Sequence, residues 1–172
     1  TSAAKQVSLT ELGSIKINKE ERSKMYKTIP RSSIIGFLIG VLPGAGATIA
    51  SFLAYGMERN VVNDEEKEKF GKGSVNGLSA PETANNAACS GSFVPMLTLG
   101  IPGSGTTAVM LGALLGFGVQ PGPRLYMTNP EIFWSIIMSM YIGMVILLIL
   151  NLPLIPYIAR ILAVPKNYLI PL

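Results

Sequence analysis

Two Pro-Gly breaks, each at the centre of a long charge-free run, limit what this chain can become. Gly100-Ile101-Pro102-Gly103-Ser104-Gly105-Thr106-Thr107 lies in the middle of residues 83–123, which contain 41 residues and no Asp, Glu, Lys or Arg. Pro43-Gly44-Ala45-Gly46-Ala47-Thr48 lies in the middle of a second such run, residues 32–57. The two share the pattern Pro-Gly-small-Gly-small-Thr. An apolar run of this length ordinarily forms one helix. Proline lacks the N–H that continues a helix and clashes with the preceding turn, and glycine adds backbone entropy. Each run is therefore two helical arms around a break whose residues are small or hydroxylated.

The surroundings of the breaks are those of a membrane protein. About 18 apolar residues with few charges already suggest a span. Residues 32–57, 83–123 and 132–159 are all free of charge. Only 14% of the chain is charged, against about 25% in soluble domains. The net charge of +4 does not point to nucleic acid, because seven of the 14 Lys and Arg fall in residues 5–31, ahead of the first apolar run. That is the distribution of a cytoplasmic flank. A single cysteine, Cys89, excludes an internal disulfide, and the absence of histidine argues against the usual zinc sites. The chain opens in polar sequence without Met and closes on apolar Tyr168-Leu169-Ile170-Pro171-Leu172, as expected for a piece of a longer membrane protein.

In chain order, residues 1–31 read as a polar cytoplasmic linker with a short amphipathic helix; a second reading gives its basic residues to anionic lipid headgroups. Residues 32–57 form two arms of 11 residues around Pro43-Gly44-Ala45-Gly46. At ~1.5 Å per residue each arm is about 16 Å long. The pair either just spans the ~30 Å hydrocarbon core or forms a re-entrant hairpin. Basic residues on both sides, with Arg59, Lys67, Lys69 and Lys72 in the polar loop 58–82, favour the hairpin. Ser79 or Ala80 as N-cap, with Pro81 in the first turn, marks the next helix start. Asn85 and Asn86 then fall at the head of a broken helix over 84–120. Gly112 and Gly116, four apart, allow close helix approach. Gln120 to Arg124 forms a loop on the outer side. A continuous span covers 131–161, with Phe133 and Trp134 at its entry and Tyr157, Arg160 and Lys166 at its cytoplasmic exit.

No enzyme site is apparent. Gly100 to Thr107 has Thr106 where a phosphate-binding loop needs lysine, and Gly44-Ala45-Gly46 is followed by Ile49 where a dinucleotide loop needs glycine or alanine. The carboxylates fall in polar loops. The breaks themselves carry the positive reading. A broken helix leaves free N–H groups at the start of its second half and free C=O groups at the end of its first. The N–H end attracts carboxylates and the C=O end attracts cations. Two breaks at mid-depth are the sequence pointer to a secondary-transporter site. The expected site is one polar pocket lined by Thr48, Ser104, Thr106 and Thr107 with the backbones of Gly44, Gly46, Gly103 and Gly105. Asn85 and Asn86 are candidate members of the same polar pathway. A hard cation would sit among carbonyl and hydroxyl oxygens; no other metal or cofactor is expected.

The segments GVLPGAGATIASFLAYGME, FGKGSVNGLSAPETANNAA, VPMLTLGIPGSGTTAVMLGALLGFGVQPGP and YIGMVILLILNLPLIPYIARILAVP resemble the large membrane subunit (TctA type) of the tripartite tricarboxylate transporters. The likeness covers residue 30 or so to the end, and corresponds to part of the second of two related halves. Asn76, Thr83, Cys89 and Ser90 depart from the family pattern without touching either Pro-Gly motif. The resemblance implies a multi-pass carrier in the bacterial inner membrane, driven by Na⁺ or H⁺. It implies work with a small membrane subunit and a periplasmic solute-binding protein on citrate or other carboxylates. The expected fold is an all-α integral membrane protein with a re-entrant helical hairpin, one discontinuous and one continuous transmembrane helix. The competing function is a non-transporting scaffold whose breaks serve packing alone.

Overall fold

The computed structural model describes residues 17–161. Residues 1–16 of the expected linker, and the basic exit residue Lys166, lie outside the described residues. The chain divides into a unit of Ile17–Phe133 and a second unit whose described part is residues 134–161. Every regular element among the described residues is a helix.

The first unit is built on three helices. α1, Lys19–Val41, starts at Asn18, whose side chain accepts the Glu21 N–H while the Glu21 carboxylate accepts the Asn18 N–H. This reciprocal cap fixes the entry. α1 carries Pro30 within it and ends at Val41 because Leu42 turns extended ahead of Pro43. Gly44 and Gly46 take φ of 80° and 68°, left-handed values that glycine adopts without a Cβ penalty. The chain reverses there and continues as α2, Gly46–Val61. α3, Asp64–Lys67, is a single turn, and α4, Val75–Gly91, follows.

Contacts fix the directions of these helices. Thr28, Gly36 and Gly40 of α1 meet Asn76, Ala84 and Ala88 of α4, always 48 positions on, so α1 and α4 run parallel. Glu58 of α2 meets Thr28 and Asn76, and Ser51 donates to the Pro81 carbonyl, so α2 runs antiparallel to both. The contact surface repeats every four residues. Thr28, Ser32, Gly36 and Gly40 are buried on α1; Ala50, Ala54 and Glu58 on α2; Asn76, Ala80, Ala84 and Ala88 on α4. Small side chains at that spacing let the backbones approach. A Cβ on Gly36 would lie 2.6 Å from the Ala84 Cα, and one on Gly40 would lie 2.6 Å from the Ala88 Cα.

Several expected boundaries are corrected. Residues 32–57 form parts of two antiparallel helices joined by a turn, and both helices extend beyond 32–57 into polar sequence. The polar loop 58–82 is largely ordered, holding the end of α2, all of α3 and the start of α4. α4 begins at Val75 because the Ser74 hydroxyl accepts the Gly77 N–H; neither Ser79 nor Ala80 caps it, and Pro81 lies in its interior. Gly112 and Gly116 have nothing within 4 Å of where a Cβ would stand, so they mediate no close helix contact among the described residues.

The second apolar run breaks where its prolines and glycines require. α5, Phe93–Leu99, follows α4 directly at Ser92. It ends on Gly100 in the left-handed region, with Gly100 N–H donating to Met96 O and Ile101 N–H to Pro95 O. α6, Gly105–Gly116, starts after a five-residue gap, residues 100–104. The next loop folds back on α5: Gly122 N–H donates to Leu97 O, and Leu125 of the short α7, Leu125–Thr128, is buried. α8, Pro130–Ile161, contains the one helix segment among the described residues long and apolar enough to cross a membrane, Pro130–Ile155, with mean hydropathy 2.4.

The α1–α4 contact predicts that Gly36→Val destabilises the full-length protein by about 1–3 kcal/mol, the usual cost of overpacking. Thermal unfolding in detergent should show a lowered midpoint. An unchanged midpoint would mean that α1 and α4 do not meet backbone to backbone.

Candidate functional site

The second break packs against the last turn of the helix that leads into the first. Gly103 is buried, and a Cβ on it would stand 2.9 Å from the Ser92 Cβ and 3.2 Å from the carbonyl oxygen of Gly40. Gly40 lies in the last turn of α1, just ahead of Pro43-Gly44. One end of the three-helix unit therefore gathers the last turn of α1, the end of α4 and the Pro102-Gly103 break. α2 and α6 both start from these breaks. α2 starts without a side-chain cap. α6 starts on Ser104, whose hydroxyl accepts the Thr107 N–H while Thr107 Oγ1 accepts the Ser104 N–H.

The expected site residues divide into two sets in this geometry. Thr107 is buried, and its hydroxyl also donates to the Ser104 carbonyl, so Ser104 and Thr107 are occupied in the α6 cap. Thr48 and Thr106 are exposed, and neither hydroxyl has a hydrogen bond among the described residues. The space beside Gly44, Gly46 and Gly105 is open to at least 4 Å from a built Cβ. Asn85 and Asn86 are exposed on α4, and Asn86 Nδ2 donates back to the Glu82 carbonyl of its own helix.

The opposite end of the unit holds a polar cluster that the sequence reading missed. Glu58, assigned to a polar loop, is instead fully buried within α2. Its Oε1 accepts from Thr28 Oγ1 at 2.7 Å, Arg31 Nη2 at 2.7 Å and Asn76 Nδ2 at 3.1 Å. One carboxylate oxygen thus ties all three helices. Glu58 Oε2, Arg31 Nε and Asn76 Oδ1 are buried without a partner. The signal was available in the fourfold spacing: Thr28, Glu58 and Asn76 each continue a row of small residues one step toward the polar end.

Beside this cluster, Glu66 accepts from Lys24 at 3.0 Å, Ser74 at 3.1 Å and Lys69 at 3.4 Å. These contacts clamp the 62–74 segment onto the polar first turns of α1, and Phe70 packs edge-on against Tyr55 of α2 at 5.2 Å. Burial pushes the Glu66 carboxyl up, but the hydrogen bonds from Lys24, Ser74 and Lys69 outweigh it and hold the group below the ordinary glutamate value of 4.5. A cavity of about 450 Å³ opens here, with Lys24, Lys27, Arg31, Asn63, Glu66 and Asn76 among its walls.

Such a unit, small residues packed backbone to backbone with two Pro-Gly breaks at one end, belongs to the class of helical membrane proteins with discontinuous helices. The sequence matches the tripartite tricarboxylate transporter TctA family over residues 1–172, and the chain belongs to that family. It is 40% identical over 167 residues to an uncharacterized 52.8 kDa protein in the TAR-I ttuC' 3' region of Agrobacterium vitis, covering 97% of this chain and 33% of that protein. It is 46% identical over 136 residues to an uncharacterized protein in the TAR-II ttuC' 3' region of the same organism, covering 79% of this chain and 55% of that protein. The chain thus spans about a third and about half of these relatives. No solved structure matches it.

Glu58 is fully buried and accepts from the buried Thr28 and Asn76 as well as from half-exposed Arg31, so its removal leaves buried donors without their acceptor and should cost about 1–3 kcal/mol or more. Glu58→Ala should therefore destabilise the full-length protein by that order, and Arg31→Met combined with Glu58→Ala should recover part of the loss. Denaturation of the single and double variants measures this. Equal stability of Glu58→Ala and the parent would mean that Glu58 is not the tie between the three helices.

Proposed function

We propose that this chain is part of the large membrane subunit of an ion-gradient-driven carrier in the bacterial inner membrane, a multi-pass protein. The carrier takes up tricarboxylates or related organic anions, with Na⁺ or H⁺ as coupling ion. A small membrane subunit and a periplasmic solute-binding protein complete it. Membership of the TctA family supports this reading. The observation that carries it is the packing of the second break on the last turn of α1, with Gly103 against the carbonyl of Gly40 just ahead of Pro43-Gly44.

The physical logic starts from unpaired backbone groups. α1 ends and α2 and α6 begin around one small-residue junction. Helix starts present N–H groups to a carboxylate, and helix ends present carbonyls to a cation. Irregular backbone at membrane depth is tolerated where it is buried in protein or lines a wet cavity. The re-entrant form of the hairpin fits the same arrangement. From Arg31 to Val41 is ten residues, about 15 Å of helix at 1.5 Å per residue. That is about half of the ~30 Å hydrocarbon core, so the tip would lie near the midplane with the Arg31–Glu58 pair at the cytoplasmic surface.

The free hydroxyls decide the test. Gly103→Val should abolish uptake, but it would also strike Ser92 and the end of α1. Thr48→Val and Thr106→Val keep shape and remove hydroxyls that hold no other bond. If each hydroxyl meets the solute or the ion, its loss costs about 1–3 kcal/mol, or roughly 5- to 150-fold in transport efficiency. Uptake of labelled di- and tricarboxylates by the full-length protein with its partners is the measurement. Normal uptake by both threonine variants would leave the breaks as architecture and favour the scaffold function.

A further inference from the structure

The outer face of α4 differs in kind from the outer faces of the two helices packed on it. Between Ala80 and Gly91 the exposed positions of α4 are Glu82, Asn85, Asn86 and Cys89: a carboxylate, two amides and a thiol. α1 runs parallel to α4 with an offset of 48, so Ile34, Phe37 and Leu38 stand level with Glu82, Asn85 and Asn86. All three are exposed and apolar. On α2, Ser51 donates to the Pro81 carbonyl, which sets the exposed Phe52 and Leu53 near the same level. At one depth, then, two sides of the unit present apolar side chains and the third presents polar ones.

The polar row is uncommitted. The Glu82 carboxylate and the Asn85 amide make no hydrogen bond or ion pair among the described residues, and Asn86 Nδ2 donates to the Glu82 carbonyl of its own helix. Glu82 stands three residues of helix, about 5 Å, from the level of Arg31 toward the Pro-Gly junction. An ionised group there is costly against hydrocarbon, so such groups face a protein interior or water. The row also leads somewhere. Cys89 accepts at its carbonyl from Ser92 Oγ, and Ser92 is the residue that Gly103 packs against.

We infer that this face of α4 lines a water-filled path from the cytoplasmic side to the Pro-Gly junction, and that Glu82 at its mouth selects cations. The inference rests on the carrier reading, in which the path serves the coupling cation. A single negative charge in a narrow wet path concentrates cations and disfavours anions. Asn85 and Asn86 keep the path polar beyond Glu82 without adding charge.

Cys89 is a natural reporter inside the proposed path. In the full-length protein, with any other cysteine replaced by serine, its labelling by two small methanethiosulfonates is compared, one carrying a trimethylammonium and one a sulfonate. The protein is held in phosphatidylcholine nanodiscs at low ionic strength, and each rate is divided by that of the same reagent with 2-mercaptoethanol. Seven residues of helix put Glu82 about 10 Å from Cys89. One unit charge at that distance, even in water, makes the cationic reagent about fourfold faster than the anionic one after this correction. Glu82→Gln should bring the two corrected rates together with the unfolding midpoint unchanged, whereas Glu68→Gln, at an exposed position outside the row, should leave their ratio in place. In uptake by the whole assembly, Glu82→Gln should raise the half-saturating concentration of the coupling cation about twofold or more. Cys89 unreactive toward both reagents would put this face in lipid or dry protein and overturn the inference. A corrected ratio indifferent to Glu82→Gln, or an unchanged half-saturating cation concentration, would overturn it equally. The labelling requires no transport, so its result is separate from that of the Thr48 and Thr106 variants on which the carrier reading depends.

Discussion

The contact of α1 with α4 through glycine is what the rest of the unit depends on. Gly36 and Gly40 have no side chain to hold the Ala84 and Ala88 backbone away, so two helices share one groove at backbone distance. Lipid offers no hydrophobic incentive for helices to associate, so close van der Waals contact and buried polar bonds must do it. The fourfold rows supply both. Their small residues make the contact, and their polar ends, Thr28, Glu58 and Asn76, set the register by hydrogen bonds to one carboxylate oxygen. A slip of α1 along α4 would lose the cluster and drive side chains into backbone.

That register places the functional candidates. Because α1 and α4 run parallel with a fixed offset, the turn after α1 and the end of α4 arrive at one level. Ser92 joins α4 to α5 there, and the Pro102-Gly103 break returns to the same junction. Gly103 fits only because it lacks a side chain. The junction thus collects a helix end and two helix starts without any charged residue. The other end collects the charges: the Glu58 cluster, the Lys24–Glu66–Lys69 clamp and the cavity between them.

Much of this was legible in the sequence. Pro43-Gly44 and Pro102-Gly103 announced the breaks, since neither residue pair continues a helix, and both appear where expected. The long apolar run after Asn129-Pro130 announced α8. What the sequence hid was tertiary. Ser74 and Ser79 are both plausible caps by residue type, and only the fold chooses between them. Glu58 looked like a loop carboxylate because Arg59 and a polar tail follow it; its burial depends on Thr28 and Asn76, which are 30 and 18 residues away in sequence. Gly112 and Gly116 had the right spacing for close approach, but spacing alone names no partner. The hydroxyls of Ser104 and Thr107 looked free and are engaged in the α6 cap, which leaves Thr48 and Thr106 as the uncommitted ones.

The central claim is that the two Pro-Gly breaks hold the solute together. Single cysteines at Thr48 and Thr106, in the full-length protein with Cys89→Ser and its partner subunits, can be labelled with a maleimide in the presence and absence of a transported carboxylate. The account predicts that the solute slows labelling at both positions and leaves a control cysteine at exposed Tyr126 unchanged. Undiminished labelling at both threonine positions under saturating solute would contradict it.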